Sequence, residues 1–490
     1  MSSFRRNSTE KQIDLQGFST GDHVEYLHRK LNKKSYGILD KICEDGRVRI
    51  LITDINSPSY GKSSWIKGRD LVRKCIRPSN SPQSTPEKVQ ETKTQIKTTT
   101  SAPIISFPTT PLIVGFFGDA FVDVQTSPMT SLPAWDEDRV VASVSVFPGG
   151  SVVNTARHFG SLMSAKSTTR TTTTHLCVTI GDDSLGKIMK STIEDEGFVN
   201  MTHVTVASNT PMSTCLVLVG PAGKRAFVST RGTSNDLSNV KLIQASNLLR
   251  DQLDGGANHI HISGLFSTLG LQTAEFLKYM ILMKKTHGFS LSLDTQFDAT
   301  QEWKGSEDIV LELIQLCDIF VPNHIELLSI VQAYSKEKMK TVNESMEWLM
   351  KKCPKTLIIV KAGGDGAVVG RGCNMMKGGE NGGKGDVELS LVKVPCPILK
   401  EEEVIDTCGA GDCFSACLLY KLLLNRRVEG GNSNSGDGDD KDDDDGEDWL
   451  DPGSDSVWDA VRYGCSGGTW CCQQVGACVN TVTVKDIDDL

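Results

Sequence analysis

From residue 111 onward, short apolar runs alternate with longer helical patterns, and this rhythm limits the fold more than any other feature of the chain. "PLIVGFFGDAFVDV", "HLCVTIG", "HIHISGL", "FSLSLDTQ", "CDIFVPNH" and "TLIIVKAGG" each hold an apolar run of strand length. Between them lie helical stretches such as "SLGKIMKSTIEDEGF" and "TAEFLKYMILMKKTHG". A strand that is apolar on both faces must be covered from both sides, and helices that cross over between parallel strands do this. The expected fold class is therefore α/β, with a central, mostly parallel sheet flanked by helices. One segment breaks the rhythm. "STCLVLVG" and "RAFVSTRG" surround the turn "PAGK", which reads as an antiparallel hairpin over 213–230, a small β lid outside the central sheet.

The rest of the 490 residues divides by composition. Residues 1–100 hold 19 Lys/Arg against 11 Asp/Glu, a surplus of +8, and the remainder holds 33 against 50, a deficit of −17. A basic front and an acidic body predict at least two units with different surroundings. Residues 1–16 read as a disordered tail without an apolar core, hence no secretory signal. Residues 17–77 contain several short strand patterns, among them a hairpin turning at Glu44-Asp45-Gly46, and suggest a small β-barrel-like domain. In rhythm and in the opening "GDHV" it resembles SH3-like or Tudor-like modules. Its charge suits a peptide or nucleic acid; an accessory domain with a solvated basic surface is the alternative. Residues 78–110, rich in Pro, Ser, Thr and Lys, form an expected disordered linker. Residues 429–455 carry twelve acids and one lysine and read as a disordered, self-repelling insert without the ligand spacing of a calcium loop.

No apolar run approaches the roughly 18 residues of a membrane span. Fifteen cysteines without a regular framework point to reduced, buried thiols and a cytoplasmic setting. Cys465, Cys471, Cys472 and Cys478 fit helix packing better than a zinc site.

Chemistry concentrates in "VIDTCGAGDCFSACLLYKLL", residues 404–423. Glycines where a strand meets a helix let backbone N–H groups point outward, and the first helical turn adds the positive end of its dipole. Asp412 follows at once. It is either a helix cap or a base that takes a proton from an attacking hydroxyl, and the local pattern leaves the two even.

Asp406-Thr407-Cys408-Gly409-Ala410-Gly411-Asp412 resembles the DTxGAGD signature of the ribokinase-like (PfkB) carbohydrate kinase family. Four further segments resemble that family in its order: Gly118-Asp119-Ala120-Phe121-Val122-Asp123, Gly149-Gly150-Ser151-Val152-Val153-Asn154, Asn323-His324-Ile325-Glu326, and Lys361-Ala362-Gly363-Gly364-Asp365-Gly366. The resemblance spans about 111–490, which becomes a ribokinase-like kinase domain carrying the acidic insert. It implies an ATP-dependent carbohydrate kinase that phosphorylates a sugar hydroxyl. In that reading Asp412 is the general base, and Gly409, Ala410 and Gly411 form the anion hole. Asp123, placed just past a buried strand, would bind the acceptor with Gly149, Gly150 and Asn154. Asn323, Lys361, Gly363 and Gly366 would bind ATP. Glu326 would meet Mg2+ through water, and Asp406 a possible K+. Each also has a plainer reading as a turn, helix start or helix cap. "SLDTQFDATQEW", residues 292–303, looks more like sugar kinases than nucleoside kinases, although Gly118 to Asp123 suits both. An adenosine-like nucleoside kinase and an inactive kinase-fold scaffold with an N-terminal binding module are the alternatives. The lid hairpin could pair with its copy in a homodimer.

Overall fold

The computed structural model describes residues 112–164, 172–221, 224–236, 258–373, 388–431 and 448–490, together with five N-terminal strands. The chain separates into two units, Met1–Ile105 and Ser106–Leu490.

In the first unit the backbone forms β1 (His23–His28), β2 (Lys33–Ile42), β3 (Arg47–Ile52), β4 (Ser63–Lys67) and β5 (Leu71–Lys74). They make one antiparallel sheet in the order β4-β3-β2-β1-β5. The Glu44-Asp45-Gly46 turn between β2 and β3 lies outside the described residues, as do the expected tail and linker.

In the second unit β6 (Leu112–Gly118) is buried at every position. It is followed by β7 (Phe121–Thr126), β8 (Val144–Gly149), β9 (Thr172–Cys177), β10 (Thr179–Gly181) and β11 (Thr205–Ala207). Then come β12 (Thr214–Val219), β13 (Arg225–Thr230), β14 (His259–Ser263), β15 (Ser290–Asp294) and β16 (Ile319–Phe320). β17 (Leu357–Lys361), β18 (Ala367–Cys373) and β19 (Glu388–Val394) complete the set. The central sheet has eight strands in the order β19-β18-β17-β16-β15-β14-β6-β9. It is parallel from β9 through β17, and β18 and β19 add an antiparallel edge. β14, β15 and β17 are buried along their whole length, as the unbroken apolar runs require.

A second, four-stranded sheet has the order β13-β12-β7-β8. The 213–230 hairpin forms its β12–β13 half, separate from the central sheet as the sequence indicates. Its other half differs from the expectation. "PLIVGFFGDAFVDV" is two strands, not one, broken at Asp119-Ala120, with β6 in the central sheet and β7 in the lid. β7 pairs parallel with β12 and antiparallel with β8.

Helices Ser151–Ser164, Ala410–Gly431 and Asp455–Cys472 pack together on the core. Cys413, Cys417, Cys465 and Cys471 are buried among their apolar side chains. The acidic segment is ordered at its end. Residues 432–447 lie outside the described residues, but Leu450 is only 3% exposed and seats in the core, and the Arg426 guanidinium covers the Trp449 ring. An apolar pair inside an otherwise charged run anchors the return of the chain. No helix among the described residues is long and apolar enough to cross a membrane.

Candidate active site

The site forms where the carboxyl ends of the central strands meet the N-termini of two helices, the ligand position of open α/β sheets. Gly409, at φ 73°, turns the chain into the helix that begins at Ala410. Any side chain there would collide with Ala477, since a Cβ would lie 2.4 Å from its carbonyl oxygen. Glycine is thus needed for both the left-handed turn and the close approach. The first N–H groups of this helix have no intrahelical acceptors, and that of Ala410 donates to the Thr407 carbonyl at 3.4 Å.

Asp412, in the first helical turn, is 7% exposed. Its carboxyl group leans away from its own helix. Ser151 Oγ donates to Oδ1 at 2.8 Å, Gln296 Nε2 donates to Oδ1 at 3.3 Å, and Asn154 Nδ2 donates to Oδ2 at 2.9 Å. A plain cap would turn its oxygens back to local backbone N–H groups, and these three donors come from other elements. Ser263 Oγ lies 2.5 Å from Ser151 Oγ, so Ser263 extends the chain of donors behind Asp412. Burial raises Asp412 to about 6, opposed chiefly by the Asn154 hydrogen bond.

Asn154, expected to bind the acceptor, thus touches Asp412. Gly149 ends β8, and Gly150 leads directly into the Ser151–Ser164 helix. Asp123 departs from its expected position. It lies within lid strand β7, opposite Phe147, instead of just past a buried central strand. Its carboxyl group packs on Gly149, where a Cβ would sit 2.3 Å from Oδ2. The residue just after β6 is Asp119, which accepts from the Val152 N–H at 3.1 Å. Burial raises both Asp119 and Asp123 to about 7, with the Asp412 charge adding to each.

On the other side, Asn323 and Glu326 form a capping box at the start of helix His324–Tyr334. Asn323 Oδ1 accepts from the N–H groups of Ile325 and Glu326, and its Nδ2 donates to Glu326 Oε1 at 2.5 Å. The helix-cap reading therefore describes Asn323, whose amide is occupied at both ends. Glu326 is nevertheless 2% exposed and is raised to about 7 by burial and by the charge of Asp294.

Lys361 ends β17 and sends its ammonium inward, in contrast to a simple phosphate-lining role. Nζ donates to Asp294 Oδ2 at 2.5 Å in a buried ion pair, and Ser415 Oγ donates to the same oxygen at 3.1 Å. The attraction of Asp294 and Glu326 raises Lys361 against its burial. The ammonium also abuts the Gly409–Gly411 turn, 3.5 Å from where a Cβ of Gly411 would be. Gly363, Gly364 and Gly366 follow in a tight turn, and with Ile398, Phe414 and Cys465 they line a cleft of about 410 Å³ that ends at Lys361 and Gly411.

Asp406, three positions before Gly409, has a partner on each oxygen. Cys408 N–H donates to Oδ1 and Gly476 N–H to Oδ2, each at 2.7 Å, and Arg225 of the lid forms an ion pair with Oδ1. Asp119, Ser151, Arg225, Ser263, Asp294 and Gln296 were not singled out in the sequence. Their one available signal was position, since Asp119, Ser263, Asp294 and Gln296 stand at or just after the ends of buried runs.

The "pfkB family carbohydrate kinase" profile matches residues 117–483. A protein of Archaeoglobus fulgidus described as an uncharacterized sugar kinase is 23% identical over 250 residues, covering 51% of this chain and 83% of that protein. Among solved structures, the ribokinase of Arabidopsis thaliana in complex with ribose and ATP superposes with a TM-score of 0.52 at 20% identity, over 78% of this chain and 98% of that one. A double mutant of the fructokinase of Vibrio cholerae, with fructose, ADP and potassium bound, superposes with a TM-score of 0.51 at 19% identity, over 77% and 97%.

Proposed function

The chain belongs to the pfkB carbohydrate kinase family, and from that premise we propose that it transfers the γ-phosphoryl group of ATP to a sugar hydroxyl, with Asp412 as the base. The observation that carries this reading is the three-donor cradle around a buried Asp412 at the mouth of an anion-binding helix start. An ionised carboxylate has about four acceptor positions. Oδ1 already accepts from Ser151 and Gln296, whereas Oδ2 accepts from Asn154 alone. The acceptor hydroxyl therefore gives its proton to Oδ2 as its oxygen attacks the γ-phosphorus. The bond from that phosphorus to ADP breaks, and the first-turn N–H groups after Gly409 hold the developing charge. Asp123 and Asp119 orient the remaining hydroxyls of the sugar. The adenine of ATP suits the apolar wall of the cleft, with its phosphates towards Gly363, Gly366 and Lys361.

Magnesium fits the carboxylates beside Lys361. Asp294 Oδ1 is buried with no partner among the described residues, and the charge of Asp294 reaches the buried Glu326. Mg2+ arriving with ATP would be held near these two groups, through water at Glu326, and would offset charge on the transferred phosphoryl. Potassium does not fit in the same way, because Asp406 is already paired with Arg225. A cytoplasmic setting is proposed from the twelve free cysteines among the described residues.

The pH profile of kcat/KM tests the base. Asp412 must be ionised, so activity is present above its value of about 6 and falls about tenfold per unit below it. A profile flat from pH 5 to 8 would sink the assignment. A pool of nucleosides run beside a pool of sugars separates the rival substrate class, and ADP release with neither points to a scaffold.

A further inference from the structure

We propose that Arg225 is the resident cation of the Asp406 site, so that the lid itself supplies the positive charge there and no monovalent metal ion is required. The proposal rests on reading 406–412 as the phosphoryl-transfer loop. Arg225 is the first residue of β13, and its side chain crosses from the lid to Asp406. The two side chains are 8% and 2% exposed, so the pair is shut off from water. The two backbone N–H groups on Asp406 fix its carboxylate from the 408 turn and from the 476 loop, and the guanidinium completes the set. A carboxylate with both oxygens taken, and a permanent positive charge beside it, disfavours a second cation. The Arg225 charge also acts on Asp123, whose carboxyl it draws down against burial. One guanidinium thus faces both the acceptor carboxylate and the loop that carries the anion hole.

The arrangement makes lid closure part of building the site. Withdrawal of β13 would strip Asp406 of its only cationic partner among the described residues, three positions before Gly409. Arg225 Nε and Nη1 are buried without partners among the described residues, so the guanidinium retains donors for an acceptor oxygen once a sugar is bound.

Thermal melting of the full-length protein, without nucleotide, decides the matter. Potassium chloride is compared with tetramethylammonium chloride at equal ionic strength, in wild type, Arg225→Ala and Arg225→Gln. The wild type should melt within about 1 °C in the two salts, and the variants should gain a potassium-specific rise of several degrees from binding at the vacated carboxylate. ADP release by the wild type should be equal in both salts, and loss of release in Arg225→Ala should be restored by potassium or by guanidinium. A potassium-specific rise in the wild type overturns the proposal, as does the lack of one in both variants. Because melting needs no turnover, absence of kinase activity in every sample would count against the proposed reaction and leave this result standing.

Discussion

Asp412→Asn lowers kcat by about 10²–10⁴-fold while ATP binding is retained, the range expected for loss of a positioned general base. The substitution keeps size but removes the acceptor of the alcohol proton. It also disturbs the cradle. Ser151, Asn154 and Gln296 all donate to Asp412, and an amide offers acceptor positions on one side only. One donor is left unmatched, at a cost of about 1–3 kcal/mol in stability. The cleft proposed for the nucleotide is lined by Gly363, Gly366 and Phe414 among others, and Asp412 is not part of its wall. Titration with ATP and steady-state kinetics on the same preparation separate the two effects. Turnover near that of the wild type would remove Asp412 from the mechanism.

Lys361→Met has the larger effect on stability. The change leaves Asp294 buried at 0% exposure, with Ser415 as its remaining donor among the described residues and with the carboxyl groups of Glu326 and Asp412 close enough to repel it. Removing one partner of a buried ion pair costs about 3–5 kcal/mol, because the other charge stays buried and uncompensated. Urea unfolding should show that loss, and the added substitution Asp294→Leu should recover much of it. Lys361 also draws the Asp412 carboxyl downward. In any active Lys361→Met protein, the acid limb of kcat/KM should therefore move to higher pH. An unchanged unfolding midpoint would show that the pair does not have the energetic role its burial implies.

The parallel sheet was legible because strands buried on both faces leave unbroken apolar runs, and β14, β15 and β17 are of that kind. The lid was legible by half. β12 and β13 are joined by a short turn and announce themselves as a hairpin, whereas β7 finds parallel β12 and antiparallel β8 from distant parts of the chain. Nothing local in "GDAFVDV" shows that the chain changes sheets between Gly118 and Phe121, and the misplacement of Asp123 follows from that. Asp412 and the Gly409–Gly411 turn stood out because glycines and a carboxylate share one helix start. The groups that hold Asp412 did not. Ser151 lies 261 positions from Asp412 and Gln296 lies 116, and only the closed fold brings them together. Arg225 was hidden for the same reason. An arginine at the start of a lid strand reads as a solvated charge until the strand is placed over Asp406.

The acidic segment shows the limit of composition as a guide. Its charge density predicts disorder over 429–455, yet helix Ala410–Gly431 continues into it, and Leu450 returns to the core. Net charge describes what a segment repels, and a single buried leucine is enough to fix one end of it.

The central claim is that a sugar hydroxyl, activated by Asp412, receives the γ-phosphoryl group of ATP. It is tested most directly by mass spectrometry of the products formed from ATP, Mg2+ and a mixed panel of pentoses, hexoses and nucleosides, with wild type and Asp412→Asn in parallel. A sugar monophosphate should accumulate with ADP in the wild-type reaction and be lacking with the variant. A phosphorylated nucleoside in place of the sugar, or equal product from the two proteins, would contradict it.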